Sequence, residues 1–80
     1  MVNRILRFPE VKARTGMSRS TIYLRIAERL FPRPISLGPR MVGWPAGDVD
    51  ALIAARIRGV SDDELRVLVG KLEAARKSAA

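Results

Sequence analysis

The 80-residue chain contains no cysteine and no histidine. The first absence excludes a disulfide framework and a thiolate metal site. The second removes the commonest general acid–base group and the commonest metal ligand. Aromatic residues are scarce, with two Phe, one Tyr and one Trp, too few for the stacking platforms that hold single-stranded nucleic acid. No apolar run approaches the ~20 residues that span a bilayer, and the opening MVNRILRFPE lacks the apolar core of a secretion signal. There is no glycine-rich phosphate loop, and nothing supplies a base for the serine and threonine hydroxyls. No catalytic or metal-ligating residue is therefore assigned, and neither an enzyme nor a bound cofactor is expected. What remains is a cytoplasmic, membrane-free module.

Apolar residues make up 48% of the chain and charged residues 29%, a balance that suits a folded unit rather than a disordered tail. A chain of this length buries only ~60% of its unfolded surface, so one small core is all it can build. The net charge is +7, and its distribution says more than its size. Residues 1–45 carry eight arginines and one lysine against Glu10 and Glu28, nine minus two, or +7; residues 46–80 carry six basic and six acidic groups. Arginine offers a planar fork of donors suited to phosphate oxygens and guanine edges. An arginine-rich excess confined to one half favours a polyanionic partner over a merely solubilising surface.

Local patterns divide the chain into short elements. The opening ILRF suits an edge strand or a terminal apolar pair. Phe8-Pro9-Glu10 reads as a helix start, with proline in the first turn and glutamate at the positive end of the helix dipole. Gly16 is the natural left-handed stop, Met17 an apolar plug, and Ser18 an N-cap for the next helix. A helix end, a tight turn and a helix start within TGMSRST is the pattern of a helix-turn-helix. The second helix is expected over 19–29, with Ile22, Ile26 and Leu30 on its inner stripe and Tyr23 and Arg29 on the flanks. Ser20, Thr21, Leu24, Arg25 and Glu28 occupy the opposite face. Phe31-Pro32-Arg33-Pro34 ends it, because residues before proline are pushed toward extended conformations. Two β-like runs, Ile35–Leu37 and Met41–Trp44, then flank Gly38-Pro39-Arg40 as a three-residue hairpin turn.

A third helix follows, capped by Asp48 or opened by Pro45, with Val49, Leu52, Ile53 and Ile57 as its buried stripe and Gly59 as its stop. Ser61-Asp62-Asp63-Glu64 matches a capping box. The fourth helix carries Leu65, Leu68, Val69 and Leu72 on one face, and its end, EAARKSAA, is expected to fray. The expected class is mainly α with a small β-hairpin, a winged helix-turn-helix plus a C-terminal amphipathic helix. The division is a DNA-binding domain over 1–58, then a helix over 59–80 that packs on it or mediates assembly.

The stretch RILRFPEVKARTGMSRSTIYLRIAERLFPRPISLGPRMVGWP resembles the AlpA-like family of phage and mobile-element regulators, and the likeness runs over about residues 4–58. Its most specific pieces are TGMSRSTIY, the FPRP break, the SLGPR turn and the VGW closing the hairpin. The family is similar to excisionases and to MerR-type winged helix-turn-helix domains. The resemblance implies double-stranded DNA binding by the helix from Arg19 onward, with the wing on phosphates or the minor groove. It also implies a role as an excisionase, which biases a site-specific integrase toward excision, or as a transcriptional activator of element genes. The excisionase role is the first expectation, since a bare wing suits a protein that binds neighbouring sites and bends DNA.

On DNA, a recognition helix brings its N-terminal residues closest to the base edges. These are Ser18, Arg19, Ser20 and Thr21, followed by Tyr23, Leu24 and Arg25. Arg19 and Arg25 suit bidentate contact with guanine, and Thr21 or Leu24 a thymine methyl. Arg25 equally suits pairing with Glu28 at i+3. Ser18 and Ser20 lie where a phosphate would meet the helix start, and Ser18 also serves as a cap. Pro39 and Arg40 form the wing tip, and Arg4, Arg7 and Arg33 are further backbone-contact candidates. Gly16, Ile22, Ile26 and Trp44 are structural. Expected partners are double-stranded DNA, a site-specific integrase or RNA polymerase, and further copies binding cooperatively; the location expected is the nucleoid. A protein-interaction module built on the fourth helix is the alternative of a different class.

Overall fold

A computed structural model describes residues 4–78. Eight elements follow in order: β1 (Ile5–Leu6), α1 (Phe8–Thr15), α2 (Arg19–Ala27), β2 (Ile35–Gly38), β3 (Met41–Pro45), α3 (Ala46–Arg58), α4 (Asp62–Ala75) and a 3-10 turn (Arg76–Ser78). The described residues are mainly helical, with a three-stranded antiparallel sheet in the order β1-β3-β2. ILRF thus forms an edge strand: Ile5 lies opposite Pro45 and Leu6 opposite Trp44. This pairing explains Gly43. A Cβ there would come within 2.5 Å of the Ile5 Cγ2 and 3.0 Å of the Leu6 carbonyl oxygen, so β1 can lie against β3 only where that residue has no side chain.

Each helix boundary has a local cause. Pro9 lies in the first turn of α1, where its missing N–H leaves no intrahelical bond unmade. The helix closes at Gly16, whose φ of 72° is the left-handed conformation that side chains resist, and whose N–H donates to the Lys12 carbonyl. Ser18 caps α2 by accepting from the Thr21 N–H. Helix α4 starts in the expected capping box, with Ser61 accepting from the Glu64 N–H and the Glu64 carboxylate reaching back.

The core comprises Leu6, Val11, Ile22, Leu30, Phe31, Trp44, Val49, Leu52, Ala55, Leu65 and Val69, drawn from the four α-helices, from β1 and β3 and from the segment between α2 and β2. Fully burying a Leu, Ile, Val or Phe side chain contributes roughly 1.5–3 kcal/mol, so this one cluster carries the fold. Trp44 is at its centre. Its ring meets Phe8 edge-on at 5.1 Å and Phe31 at 6.0 Å, and its indole N–H donates to the Pro32 carbonyl at 2.8 Å. Ile22 is buried in the same cluster, and Ile26 is half-buried and packed against it.

Four expectations are corrected. Helix α2 ends at Ala27 rather than Arg29, because the chain closes it with a reversal: Arg29 takes φ 63°, its N–H bonds the Ile26 carbonyl, and the Leu30 N–H bonds the Arg25 carbonyl. That pattern turns Leu30 into the core with arginine at the position glycine usually fills. The hairpin turn has two residues, Pro39 and Arg40, since Gly38 pairs with Met41. Proline cannot take the positive φ that the usual two-residue hairpin turns demand at their first position. The turn places the positive φ on Arg40 instead (60°), and a register irregularity between Ser36 and Gly38 absorbs the mismatch. Ile57 is 80% exposed, and Ala55 is buried instead. At 100° per residue, Ile57 lies about 140° around α3 from Leu52. Of the two openings expected for α3 the structure takes the one at Pro45, with Asp48 in the first turn. The end of α4 is held rather than frayed as far as Arg76, because Glu73 and Arg76 bond the main chain of Arg33. Ala79 and Ala80, the last of the expected fraying tail, lie outside the described residues.

Candidate nucleic-acid interface

Helix α2 presents two unlike faces. Ile22 points inward with no exposed surface, while Ser18, Arg19, Ser20, Tyr23 and Leu24 are exposed and Thr21 and Arg25 are half-buried. The first turn contains no acidic residue, so the exposed N-terminal end combines the positive pole of the helix dipole with a guanidinium and three hydroxyls. Those hydroxyls are organised by Ser18. Its Oγ lies 2.9 Å from the Thr21 Oγ1 and 3.3 Å from the Ser20 Oγ, and it accepts from the Thr21 N–H at 3.3 Å. The cap function of Ser18 therefore coexists with an exposed hydroxyl cluster.

Arg19 is held from below. Its guanidinium lies 4.8 Å from the Phe8 ring centre and 5.9 Å from that of Tyr23, within the reach of cation–π attraction. Phe8 packs against Tyr23 at 5.4 Å as well as against Trp44. One ladder of rings thus links α1, the outer face of α2 and the sheet, and Arg19 caps it. Sequence reasoning missed Phe8 as the support of Arg19. The two are eleven positions apart on different helices, and no spacing rule joins them.

The remaining arginines divide by what they already hold. Arg25 pairs with Glu28 at 2.7 Å, the i+3 alternative foreseen for it. Arg4 pairs with Glu10, and Arg7 donates from Nε to the Val42 carbonyl at 3.0 Å, lying along β3. Arg33 pairs with Glu73 at 3.4 Å, with its side chain 74% exposed. Arg14 pairs with Asp50. Arg40 is different: it is exposed at the hairpin tip beside Pro39 and makes no ion pair or hydrogen bond among the described residues. Arg7, Arg19 and Arg40 are thus the expected contact arginines whose charge no carboxylate offsets among the described residues, and of these Arg7 is spent on the Val42 carbonyl. Leu37 and Met41, on either side of the tip, are also partly exposed, a feature that sequence alternation did not reveal because the register irregularity intervenes.

Among the described residues, no cluster of carboxylates could hold a metal ion. No helix among them is long and apolar enough to cross a membrane.

Comparisons with known proteins find relatives of this chain by sequence. An uncharacterized protein, ORF88, of Enterobacteria phage P4 is 48% identical over 56 residues, covering 70% of this chain and 64% of that protein. The chain thus spans just under two thirds of the phage protein's length. The DNA-binding transcriptional activator AlpA of Escherichia coli (strain K12) is 36% identical over 61 residues, covering 69% of this chain and 87% of that protein. No solved structure matches. The family described as prophage CP4-57 regulatory protein (AlpA) matches residues 4–57, and with that match and these relatives the chain belongs to the AlpA family of prophage regulators.

Proposed function

We propose that this protein is a sequence-preferring, double-stranded DNA-binding regulator of a prophage or other mobile element, built as a winged helix-turn-helix. The observation that carries this reading is the exposed, carboxylate-free N-terminal face of α2, with Arg19 held on two aromatic rings. In the proposed complex this end of α2 enters the major groove. Arg19 reads guanine through O6 and N7, and Ser20, Thr21 and Leu24 meet neighbouring base edges or a thymine methyl. Ser18 and Tyr23 contribute hydroxyls to phosphate. Arg25 joins them by exchanging Glu28 for DNA. The β2–β3 hairpin acts as the wing, with Pro39 and Arg40 against the backbone or minor groove, and Arg4, Arg7 and Arg33 add outlying phosphate contacts. Residues 1–58 form the DNA-reading unit and 59–80 its C-terminal helix.

Regulation of transcription is the favoured use of this binding, because the E. coli relative described as a DNA-binding transcriptional activator is covered over most of its length. RNA polymerase is then the protein partner. The excisionase role expected from the bare wing is the second reading, with a site-specific integrase as partner. A monomer of this size reads few base pairs, so cooperative binding of several copies supplies the rest of the specificity.

Selection of bound genomic fragments at physiological salt with excess competitor, followed by footprinting, tests the reading. A protected site upstream of a promoter is the expected result. Tandem protected sites beside an integrase attachment junction would transfer the protein to the excisionase class. Absence of any enriched duplex would overturn the DNA reading itself.

A further inference from the structure

Helix α4 and the turn after it lie outside the residues that the family match covers, and none of the proposed DNA contacts comes from them. Their side chains nevertheless grip the main chain on both sides of the segment that joins α2 to the hairpin. At one side, the Arg66 Nε donates to the Glu28 carbonyl, 3.0 Å away, at the C-terminal end of α2. At the other side, both main-chain groups of Arg33 are taken. Its N–H donates to the Glu73 carboxylate at 2.8 Å, and its carbonyl accepts from the Arg76 guanidinium at 2.7 Å. Arg33 stands between Pro32 and Pro34, so it supplies the only main-chain donor in that three-residue stretch. The same Arg76 donates through Nε and Nη2 to one oxygen of Asp48 in the first turn of α3, at 3.0 and 2.8 Å. With side chains 19% and 14% exposed, Arg76 and Asp48 form the least exposed ion pair among the described residues. A cleft between α2 and α4, lined by Ile26, Arg29, Phe31, Arg33, Val69 and Glu73, marks where the two helices face each other.

We propose that α4 is a staple that fixes the wing relative to α2, with Arg66, Glu73 and Arg76 as positioning residues for the reading of DNA. The inference rests on the DNA-binding reading above. Two contact points on one rigid body engage a duplex together, and a looser joint lowers the effective concentration of the second once the first is made. The segment from Arg29 to Pro34 has no helix or strand to stiffen it. Its rigidity comes from Leu30 and Phe31 in the core, from the Trp44–Pro32 bond, and from the α4 side chains. Releasing the Arg33 main chain therefore diminishes what Arg40 contributes, although no residue that contacts DNA is substituted.

A double-mutant cycle on the full chain tests this, using a short fluorescein-labelled duplex that carries the footprinted site. Circular dichroism and a thermal melt establish that each variant is folded at the assay temperature. Arg76→Ala is expected to weaken binding about tenfold in the wild-type background and less than about twofold in an Arg40→Ala background, the mark of residues acting through one coupled unit. Equal losses in both backgrounds, or no loss in either, would overturn the staple. Arg76→Lys decides the matter if the alanine variant does not fold. It keeps a charge beside Asp48, but one ammonium cannot reproduce the fork that spans Asp48 and Arg33, so the same background-dependent loss is expected. If the wild-type chain binds no duplex, the DNA reading falls and takes the staple with it. If it binds and the cycle is additive, the staple alone falls.

Discussion

Arg40 shows how a single residue carries both a structural cost and a functional sign. Its φ of 60° is the left-handed conformation in which glycine would sit without strain. An arginine kept there, exposed and without a partner among the described residues, is held at roughly 1 kcal/mol against the fold, a cost that the proposed DNA contact at the hairpin tip accounts for. Arg40→Gly is therefore expected to raise hairpin stability by up to about 1 kcal/mol in denaturant melts while weakening DNA binding. Arg40→Ala is expected to reduce the slope of log affinity against log salt by about one. Unchanged affinity in both variants would remove Arg40 from the interface. Gly16, Ser18 and Trp44 were legible in the sequence because their roles follow from local geometry and size. The left-handed Arg29 and Arg40 were not, because arginine gives no hint of a positive φ when the surrounding fold imposes it. Ile57 was misplaced because α3 buries a narrower stripe than its apolar residues suggest.

At the level of elements, the boundaries that capping and proline chemistry control were readable, and the pairings between distant segments were not. The capping box at Ser61 and the stop at Gly16 lie in short windows. The addition of β1 to the sheet depends on Gly43 accepting Ile5 and Leu6 at close range, a contact no window contains. Gly43→Ala is expected to cost about 1–3 kcal/mol, as in other overpacked sites, by displacing β1. Chemical denaturation measures the loss, and a neutral result would show that β1 is dispensable. The grip of α4 on Arg33 was hidden for the same reason. Its charged residues read as a solvated, fraying tail until Glu73 and Arg76 were seen against the peptide of Arg33.

For the whole molecule, the family match ends at residue 57 but the core does not, since Leu65 and Val69 are buried in the same cluster as Trp44. Removing residues 61–80 is expected to abolish the cooperative thermal transition, because so small a core has little to spare. A truncated chain that still melted cooperatively would make α4 an accessory. The segregated charge, legible from the sequence alone, implies a salt-dependent encounter. If about 4–6 phosphates are neutralised per copy, log affinity should fall with log salt at a slope of about −4 to −5. The central claim is that DNA is met by the start of α2 and the hairpin tip, and amide chemical-shift mapping during titration with the selected duplex tests it most directly. The account predicts that the largest shifts fall on residues 18–25 and around Arg40. Shifts concentrated instead on Arg56, Arg58, Lys71 and Lys77, four of the six basic groups of the other half, would contradict it.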